Sequence, residues 1–430
     1  MKIALMMRNQ LIPIVWTWAM GQILLTTWGA QAQSYKGKTL KVLSFKDSHA
    51  EAVKKNLSEF EHKTGANVQF DMIDAPSVST KIATDQMGGG TYDVYAVDEP
   101  FMPQLQVSFL PVSQWPATQD FVLPKPAKDL FVSASLQGAS FNGELYGLPI
   151  NGNVYMYVYR KDLMEDPKEK EAYLKRFGTE LKVPKSLAEM KQVAAFFHRP
   201  PHLFGFAPFT KKSEGTTVEA LWILASHGVN LKSFDVSSAA QALQTYQDLM
   251  SFAPPGAKNW HHAERMASYA KGKLAQMMTW PSFVKDLEKA EKSLVAGKNG
   301  YALPPASIAG KGVGVAGTWS LSIPKSTKQG NLAAEFATWW ASSPQGFQWV
   351  EQGMNPARKD LLESPQLASK NPWFPVLLQT FQSSVVRPRS VKYKEISEGI
   401  SREFTLVIAG NKTAQEAAQS MATELKKNGF

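Results

Sequence analysis

The sequence predicts an α/β protein with two lobes, and three observations carry that prediction. The length of 430 residues exceeds what one compact core usually holds. A βαβαβ pattern near the N-terminus indicates a parallel sheet with right-handed crossovers. No proline- or glycine-rich linker separates two halves of the sequence, which suggests that the chain crosses between its lobes more than once.

The first 32 residues differ in character from the rest of the chain. Lys2 and Arg8 give a positive start, residues 11–25 are apolar and uncharged, and Ala30-Gln31-Ala32 is a small-x-small pattern. These features predict a signal peptide at 1–32 that is cleaved after Ala32, with a membrane anchor as the alternative. No later apolar run reaches the length of about 18 residues that a membrane span needs, so the mature protein is expected to be soluble.

Composition narrows the class of protein further. The chain is 44% hydrophobic and 20% charged, as in an ordinary soluble globular protein. It has no cysteine, so an exported form would be held by its core alone, and a periplasmic location fits best. The net charge of +10, or +8 without Lys2 and Arg8, is scattered with no basic run of five, so no nucleic-acid partner is expected.

The N-terminal third carries the elements of the predicted parallel sheet. Strands are predicted at 40–45, 68–72 and 92–97, and helices are predicted from 50 to a stop at Gly65 and at 79–87. In such sheets ligands lie beyond the carboxyl ends of the strands. The loops at 46–49 and 98–101 meet that description.

The rest of the chain mixes strands and helices. One long strand is predicted at 145–159, helices at 184–198, 216–227 and 237–250, and a helix end, turn and strand over 267–280. Residues 312–324 alternate at period two after a run of small residues, which predicts a strand bearing Trp319. A packed core tryptophan is the alternative to a ligand-facing one. A helix from Asn331, a break at 344–346 and a final amphipathic helix at 414–427 follow.

Motifs for catalysis, metals or cofactors are weak. His198 and His202 have a metal-ligand spacing, but Pro200-Pro201 between them forbid a helix. Ser322-Ile-Pro-Lys325 matches one element of penicillin-recognising serine enzymes, but the order of the elements is reversed here. The neighbouring carboxylates of Asp98 and Glu99 diverge at a strand end and form no ready glycosidase pair. The chain is therefore expected to use no metal or cofactor and to be no enzyme.

A binding site of aromatic and planar polar side chains remains. The apolar faces of a sugar ring stack on Trp and Tyr, while its hydroxyls need Asp, Glu, Asn or Arg partners. The candidate ligand-binding residues are Asp98, Glu99, Asn151, Asn153, Tyr155, Trp280, Thr318, Trp319 and Arg358.

Four segments resemble motifs of one known family. They are GELYGLPINGNVYMYVYRKDLM at 143–164, KGKLAQMMTW at 271–280, AGTWSLSIPKSTK at 316–328 and NPARKD at 355–360. Each is loose alone, but their order is fairly specific. From about Leu40 to the C-terminus the chain resembles the maltose-binding-protein-like extracellular solute-binding proteins (family 1) of bacterial ABC importers.

The resemblance implies a two-lobed periplasmic-binding-protein fold of type II, each lobe a mixed sheet flanked by helices, with a hinge of several crossings near Gly147, Gly317 and Pro356. The implied division is lobe 1 at 33–145, lobe 2 at 146–316, a hinge strand and return to lobe 1 at 317–357, and lobe 2 with the C-terminal helices at 358–430. A solute entering the cleft would be buried by closure, and the closed form would dock on the ABC permease.

The resemblance also implies roles for single residues. By this resemblance, the family's acidic residue after the third strand corresponds to Asp98, with Glu99 beside it, and its polar pair corresponds to Asn151 and Asn153. Its stacking aromatic residues correspond to Trp280 and Trp319, and the arginine of its late loop corresponds to Arg358. The polar pair is often two aspartates in the family. Asparagines remove two charges and leave room for an anionic ligand.

The expectation is a monomeric periplasmic binding component of an ABC importer that takes a sugar or polyol and delivers it to the permease. Two alternatives stay open. One is a binding protein for another small solute, such as an anion, a polyamine or a peptide. The other is a secreted glycoside hydrolase.

Overall fold

The computed structural model describes residues 35–308 and 310–430, so the predicted signal peptide and its cleavage site lie outside the described residues. Within these ranges three sheets are present. The strands are β1 (Thr39–Phe45), β2 (Asn67–Ile73), β3 (Val94–Asp98), β4 (Ser140–Phe141), β5 (Glu144–Leu145), β6 (Leu148–Val154), β7 (Met156–Arg160), β8 (Gln276–Thr279), β9 (Asn299–Ala302) and β10 (Ala316–Ser322).

Helices surround the sheets. They are α1 (Ser48–Lys55), α2 (Leu57–Thr64), α3 (Ala75–Met87), α4 (Met102–Leu105), α5 (Ala127–Leu130), α6 (Ser133–Ala139), α7 (Lys161–Glu165), α8 (Pro167–Phe177), α9 (Leu187–Phe197), α10 (Glu214–Ser226), α11 (Val236–Met250), α12 (His262–Ala270), α13 (Val284–Leu287), α14 (Gly330–Ala341), α15 (Ser343–Glu351), α16 (Lys359–Leu362), α17 (Pro365–Lys370), α18 (Phe374–Gln382), α19 (Tyr393–Ala409) and α20 (Ala414–Lys427). None of the described helices has the length and apolar character that crossing a membrane requires.

The first lobe is built on a five-stranded sheet of order β2-β1-β3-β10-β6. Strand β1 pairs in parallel with β2 and β3, which confirms the predicted βαβαβ unit. Strand β10 runs antiparallel between β3 and β6, and its Trp319 pairs with Asp98 on one side and Asn151 on the other. The register therefore brings three of the sequence-predicted site residues into one row across the sheet.

The second lobe is built on a three-stranded antiparallel sheet of order β8-β7-β9. The prediction of one long strand at 145–159 is wrong, because its parts belong to different sheets. Val154 still pairs with Ala316 in the first sheet, and the backbone N–H of Tyr155 donates to the Val315 carbonyl at 2.8 Å. The next residue, Met156, pairs with strand β8 of the second sheet.

Apolar side chains separate the helices into two groups. Helix α14 buries Phe336, Trp339 and Trp340 against the first lobe, where Phe60 and Phe70 contact the same rings. Helices α10, α11, α19 and α20 form a second core beneath the small sheet. The helix predicted from Asn331 thus contributes its aromatic side chains to the core.

Helix breaks lie at two places that the sequence did not predict. The helix predicted from residue 50 to Gly65 is divided at Asn56, whose N–H donates to the Val53 carbonyl at 2.9 Å and whose side-chain Nδ2 donates to the Ala52 carbonyl at 2.7 Å. An asparagine competes for backbone partners in this way and interrupts a helix. The break predicted at 344–346 comes earlier, because Ser342 leaves the helical conformation before α15 begins.

Candidate functional site

A cavity of about 400 Å³ lies where the carboxyl ends of β1 and β3 and the start of β10 face the second lobe. Residues from both lobes line it: Phe45, Lys46, Asp47, Ser48, Ala75, Asp98, Asn153, Glu214, Gly215, Val218, Trp280, Ser282, Phe283, Asp286, Gly317, Trp319 and Arg387. Both loops selected at the strand ends contribute to it. Asp98, Asn153, Trp280 and Trp319 are the sequence-predicted site residues that the structure brings together here.

Aromatic rings line part of the cavity. Trp319 stacks on Phe45 with ring centroids 3.9 Å apart, and only 8% of it is exposed. Trp280 is partly buried and its ring packs against Gly317, where an added Cβ would be 2.7 Å from two of its ring carbons. Glycine therefore permits the close approach that holds the indole in place. Of the two tryptophans, Trp280 presents more surface to a solute.

Arg387 is the centre of an ion-pair cluster at this cavity. Its side chain is only 4% exposed, and its three nitrogens all donate to carboxylates. Nη1 lies 3.1 Å from Asp98 Oδ2 and 3.0 Å from Glu214 Oε1, Nε lies 3.0 Å from Glu99 Oε1, and Nη2 donates to Asp98 Oδ1. Burial opposes the charged form, but Asp98 and Glu99 raise the pKa of Arg387 well above its ordinary value.

Two of the three carboxylates that bind Arg387 come from opposite lobes. Asp98 ends β3 in the first lobe, whereas Glu214 is the first residue of α10 in the second lobe. Glu214 also accepts hydrogen bonds from the Tyr393 hydroxyl and from Ser397 Oγ, the latter at 2.7 Å. Arg387 thus connects the lobes across the cleft through charge-assisted hydrogen bonds.

Glu99 supports the cluster from behind and does not line the cavity. It is fully buried, and its Oε2 lies 3.9 Å from Arg389 Nη1. Burial raises the pKa of Glu99, while the charges of Arg387 and Arg389 oppose that rise. Its place beneath Arg387 makes it a positioning residue for the guanidinium.

The loop after β1 brings charged groups to the same cavity. Asp47 caps helix α1 by accepting from the Ala50 N–H at 2.8 Å. Burial raises the pKa of Asp47 to about 7, although the hydrogen bonds from the Ala50 and His49 N–H groups oppose the rise. Lys46 is exposed at the edge of the cavity.

Four further predicted residues lie outside the cavity lining. Asn151 is buried in β6 and its Oδ1 has no hydrogen-bond partner among the described residues. Thr318 donates through Oγ1 to Ser135 Oγ at 2.9 Å. Arg358 pairs with Asp360 and donates to the Ala341 carbonyl at 3.2 Å. These contacts hold the strands and the loop that frame the cleft.

Tyr155, the fourth of them, takes part in a buried network of the second lobe. Its hydroxyl donates to Glu219 and accepts from Arg265 Nη1 at 2.8 Å, and Tyr246 donates to the other Glu219 oxygen at 2.7 Å. Its ring packs edge-on against Trp280 with centroids 5.2 Å apart. Tyr155 therefore supports the partly buried Trp280 indole, while its own hydroxyl points into the core.

Sequence reasoning missed Glu214 and Arg387. Glu214 begins a helix directly after Ser213, which is a helix-start signal but carries no functional information. Arg387 lies in the segment between α18 and α19 and has no periodic pattern around it. Its partner Glu214 is 173 residues away in the sequence, so no local spacing could connect the two.

Residues 46–346 match the family model described as bacterial extracellular solute-binding protein. Two curated relatives match along most of their length. A probable amino-acid ABC transporter periplasmic-binding protein of Sinorhizobium fredii is 25% identical over 90% of this chain and 89% of its own. A mannitol-binding protein of Pseudomonas aeruginosa is 24% identical over 82% of this chain and 84% of its own.

Solved structures share the two-lobed fold. An ABC transporter solute-binding protein of Agrobacterium radiobacter in complex with ribitol superposes with a TM-score of 0.77 at 22% identity, covering 91% of this chain and 99% of that one. A maltose-bound protein of T. maritima gives a TM-score of 0.76 at 21% identity, covering 91% and 100%. At these identities the likeness concerns the fold alone, and it agrees with the fold class predicted from the sequence.

Proposed function

The chain belongs to the bacterial extracellular solute-binding proteins, and we propose that within this family it binds a sugar or polyol in the cleft between its lobes. It would deliver that solute to the permease of an ABC importer. The observation that carries the proposal is one cavity in which Trp280 and Trp319 meet the polar groups of Asp98 and Asn153. Indole faces suit the apolar C–H surface of a sugar, and carboxylate and amide groups suit its hydroxyls.

The lobes are expected to close on the solute because the groups that would contact it come from both lobes. Asp98 and Trp319 belong to the first lobe, and Trp280 and Glu214 belong to the second. A solute that contacts both sets favours the closed arrangement, because it gains all of its contacts only when the lobes meet. The closed form is the one that we expect the permease to recognise.

An amino acid is the second candidate solute, favoured by the name of the Sinorhizobium relative. Its carboxylate would need an available cation in the cleft, but Arg387 already binds three carboxylates. A glycoside hydrolase would need two carboxyl groups that act separately as acid and as base or nucleophile. Asp98 and Glu214 both bind the Arg387 guanidinium and so do not act separately, and we therefore propose binding without catalysis.

Periplasmic location and a monomeric state complete the proposal. The family assignment supports export, and the N-terminal pattern of the sequence supports removal of residues 1–32. N-terminal sequencing of the exported protein should begin at Gln33. A retained N-terminus would contradict this part of the proposal.

A thermal-shift screen of the mature protein tests the function. The screen would include ribitol, mannitol, maltose, free hexoses, amino acids and organic anions. A bound solute at about a hundred times its Kd should stabilise the protein by about 2.7 kcal/mol. A shift confined to amino acids or anions would contradict the proposal.

The variant Trp280→Ala tests whether the thermal shift depends on the proposed site. The variant should lose the shift, while Trp115→Ala in a loop of the first lobe, away from the cleft, should keep it. Trp319→Ala is a poorer choice, because removing a tryptophan from a buried stack costs about 3–5 kcal/mol of stability. An undiminished shift in folded Trp280→Ala would place the solute elsewhere.

A further inference from the structure

The charge distribution of the cleft bears on which sugars or polyols can enter it. The cations among the lining residues are Arg387 and Lys46. Arg387 directs all three guanidinium nitrogens at Asp98, Glu99 and Glu214. Each nitrogen of the Arg387 guanidinium therefore already has a carboxylate beside it.

The carboxylates outnumber the guanidinium groups at this point. Three acidic side chains surround Arg387, and Arg389, at 3.9 Å from Glu99, is the second cation near them. The side chains of Asp98 and Glu214 remain 13% and 30% exposed. Because a carboxylate can accept up to about four hydrogen bonds, both can still accept from solute hydroxyls.

We propose that Glu214 and Asp98, by binding Arg387 from opposite lobes, make the cleft select neutral polyhydroxylated solutes and reject sugar acids of the same size. This inference rests on the proposed function. A solute carboxylate at the cluster would meet two like charges and would find the guanidinium already occupied. Hydroxyl groups carry no such penalty.

Lys46 is the alternative partner for an anion, and its position limits that role. The side chain is exposed at the edge of the cavity, where water screens its charge. Glu214 and Asp98 therefore decide the response to charge, since both lie against the buried guanidinium.

Isothermal titration with matched pairs tests the inference. The probes are ribitol against ribonate and mannitol against mannonate, each pair differing at one chain end. The wild-type protein should bind the polyol at least tenfold more tightly than the acid, about 1.4 kcal/mol. Glu214→Gln removes one negative charge and frees part of the Arg387 guanidinium, so the ratio of polyol affinity to acid affinity should fall at least tenfold. Glu171→Gln, an exposed position on α8, is the matched control and should leave the ratio unchanged.

The outcomes separate the two proposals. Acids that bind the wild type as well as polyols do, or a ratio unchanged in folded Glu214→Gln, would overturn the charge selection and leave polyol binding intact. Should Glu214→Gln fail to fold, Asp98→Asn removes the charge from the other lobe and must lower the ratio in the same way. Binding of neither polyol nor acid to the wild type would overturn the proposed function, and the selection with it.

Discussion

Replacing Gly317 by alanine should weaken solute binding through Trp280 alone. The added Cβ would lie 2.7 Å from the Cη2 and Cζ3 atoms of the Trp280 ring, whereas ordinary contacts begin at 3.4 Å. The backbone on the other side of Gly317 is fixed in the sheet by its pairing with Asn153. The ring must therefore retreat by about 0.7 Å or tilt away from Gly317.

Displacement of the Trp280 ring should change both the stability of the protein and its affinity for the solute. Overpacking costs about 1–3 kcal/mol of stability, and the lower end applies because Trp280 is only partly buried and can move outward. Loss of one aligned stacking contact should cost about 1–2 kcal/mol of binding free energy, a factor of roughly 5–30 in Kd. Affinity should thus suffer more visibly than folding.

Titration calorimetry with the sugar or polyol that gives the largest thermal shift measures the affinity, and urea unfolding measures the stability. Gly88→Ala is the matched control, because its nearest atoms lie at 3.5 Å and its φ of −83° suits any residue. An unchanged affinity in a folded Gly317→Ala variant would refute the role of the Gly317–Trp280 contact.

Two further predictions concern closure and acid stability. Lys285 of the second lobe donates a hydrogen bond of 2.8 Å to the backbone carbonyl of Glu351 in the first lobe. Glu351 lies in the last turn of α15, and the C-terminal end of a helix is a favourable place for a cation. Lys285→Ala should therefore disfavour the closed form and raise Kd roughly fivefold, about 1 kcal/mol, whereas exposed Lys170→Ala should not; equal affinities in calorimetry would contradict this. Burial lowers the pKa of His49 from 6.5 to about 3, and its neutral Nε2 accepts from Trp340 Nε1 at 2.9 Å. Between pH 6.5 and about pH 3 only the unfolded chain binds a proton at His49, so the free energy of unfolding should fall by about 1.4 kcal/mol per pH unit on acidification. Urea titrations at several pH values should show a smaller dependence of this free energy on pH in His49→Gln. An equal dependence would contradict the role given to His49.

The parallel part of the first sheet could be predicted because its signals are local. Alternation in β1, β2 and β3 is visible within a few residues, and the rule that ligands lie at strand ends then selects Asp98 without any long-range information. The same reasoning selected Trp319 but could not decide between core and cleft. The structure shows why, since Trp319 is stacked in the core and still reaches the cavity.

The missed features depend on contacts that no local pattern encodes. Tyr155 continues the alternation of β6 into β7, so the change of sheet between Val154 and Met156 leaves no trace in the sequence. Arg387 gains its role from Asp98, which is 289 residues away. Asn151 has the residue type of a ligand group and shares a strand face with Asn153, yet it is buried and does not belong to the cavity lining.

The central place of β10 has a consequence for the order in which the protein folds. The strand lies between β3 and β6, and its Thr318 hydrogen-bonds Ser135, which is 183 residues earlier. A nascent chain that has released β1 to β6 still lacks the strand that joins β3 to β6, so the five-stranded sheet cannot be completed until much of the second lobe has been synthesised. Such long-range pairing makes folding slow. We therefore expect the complete five-stranded sheet to form only once residue 322 has left the ribosome.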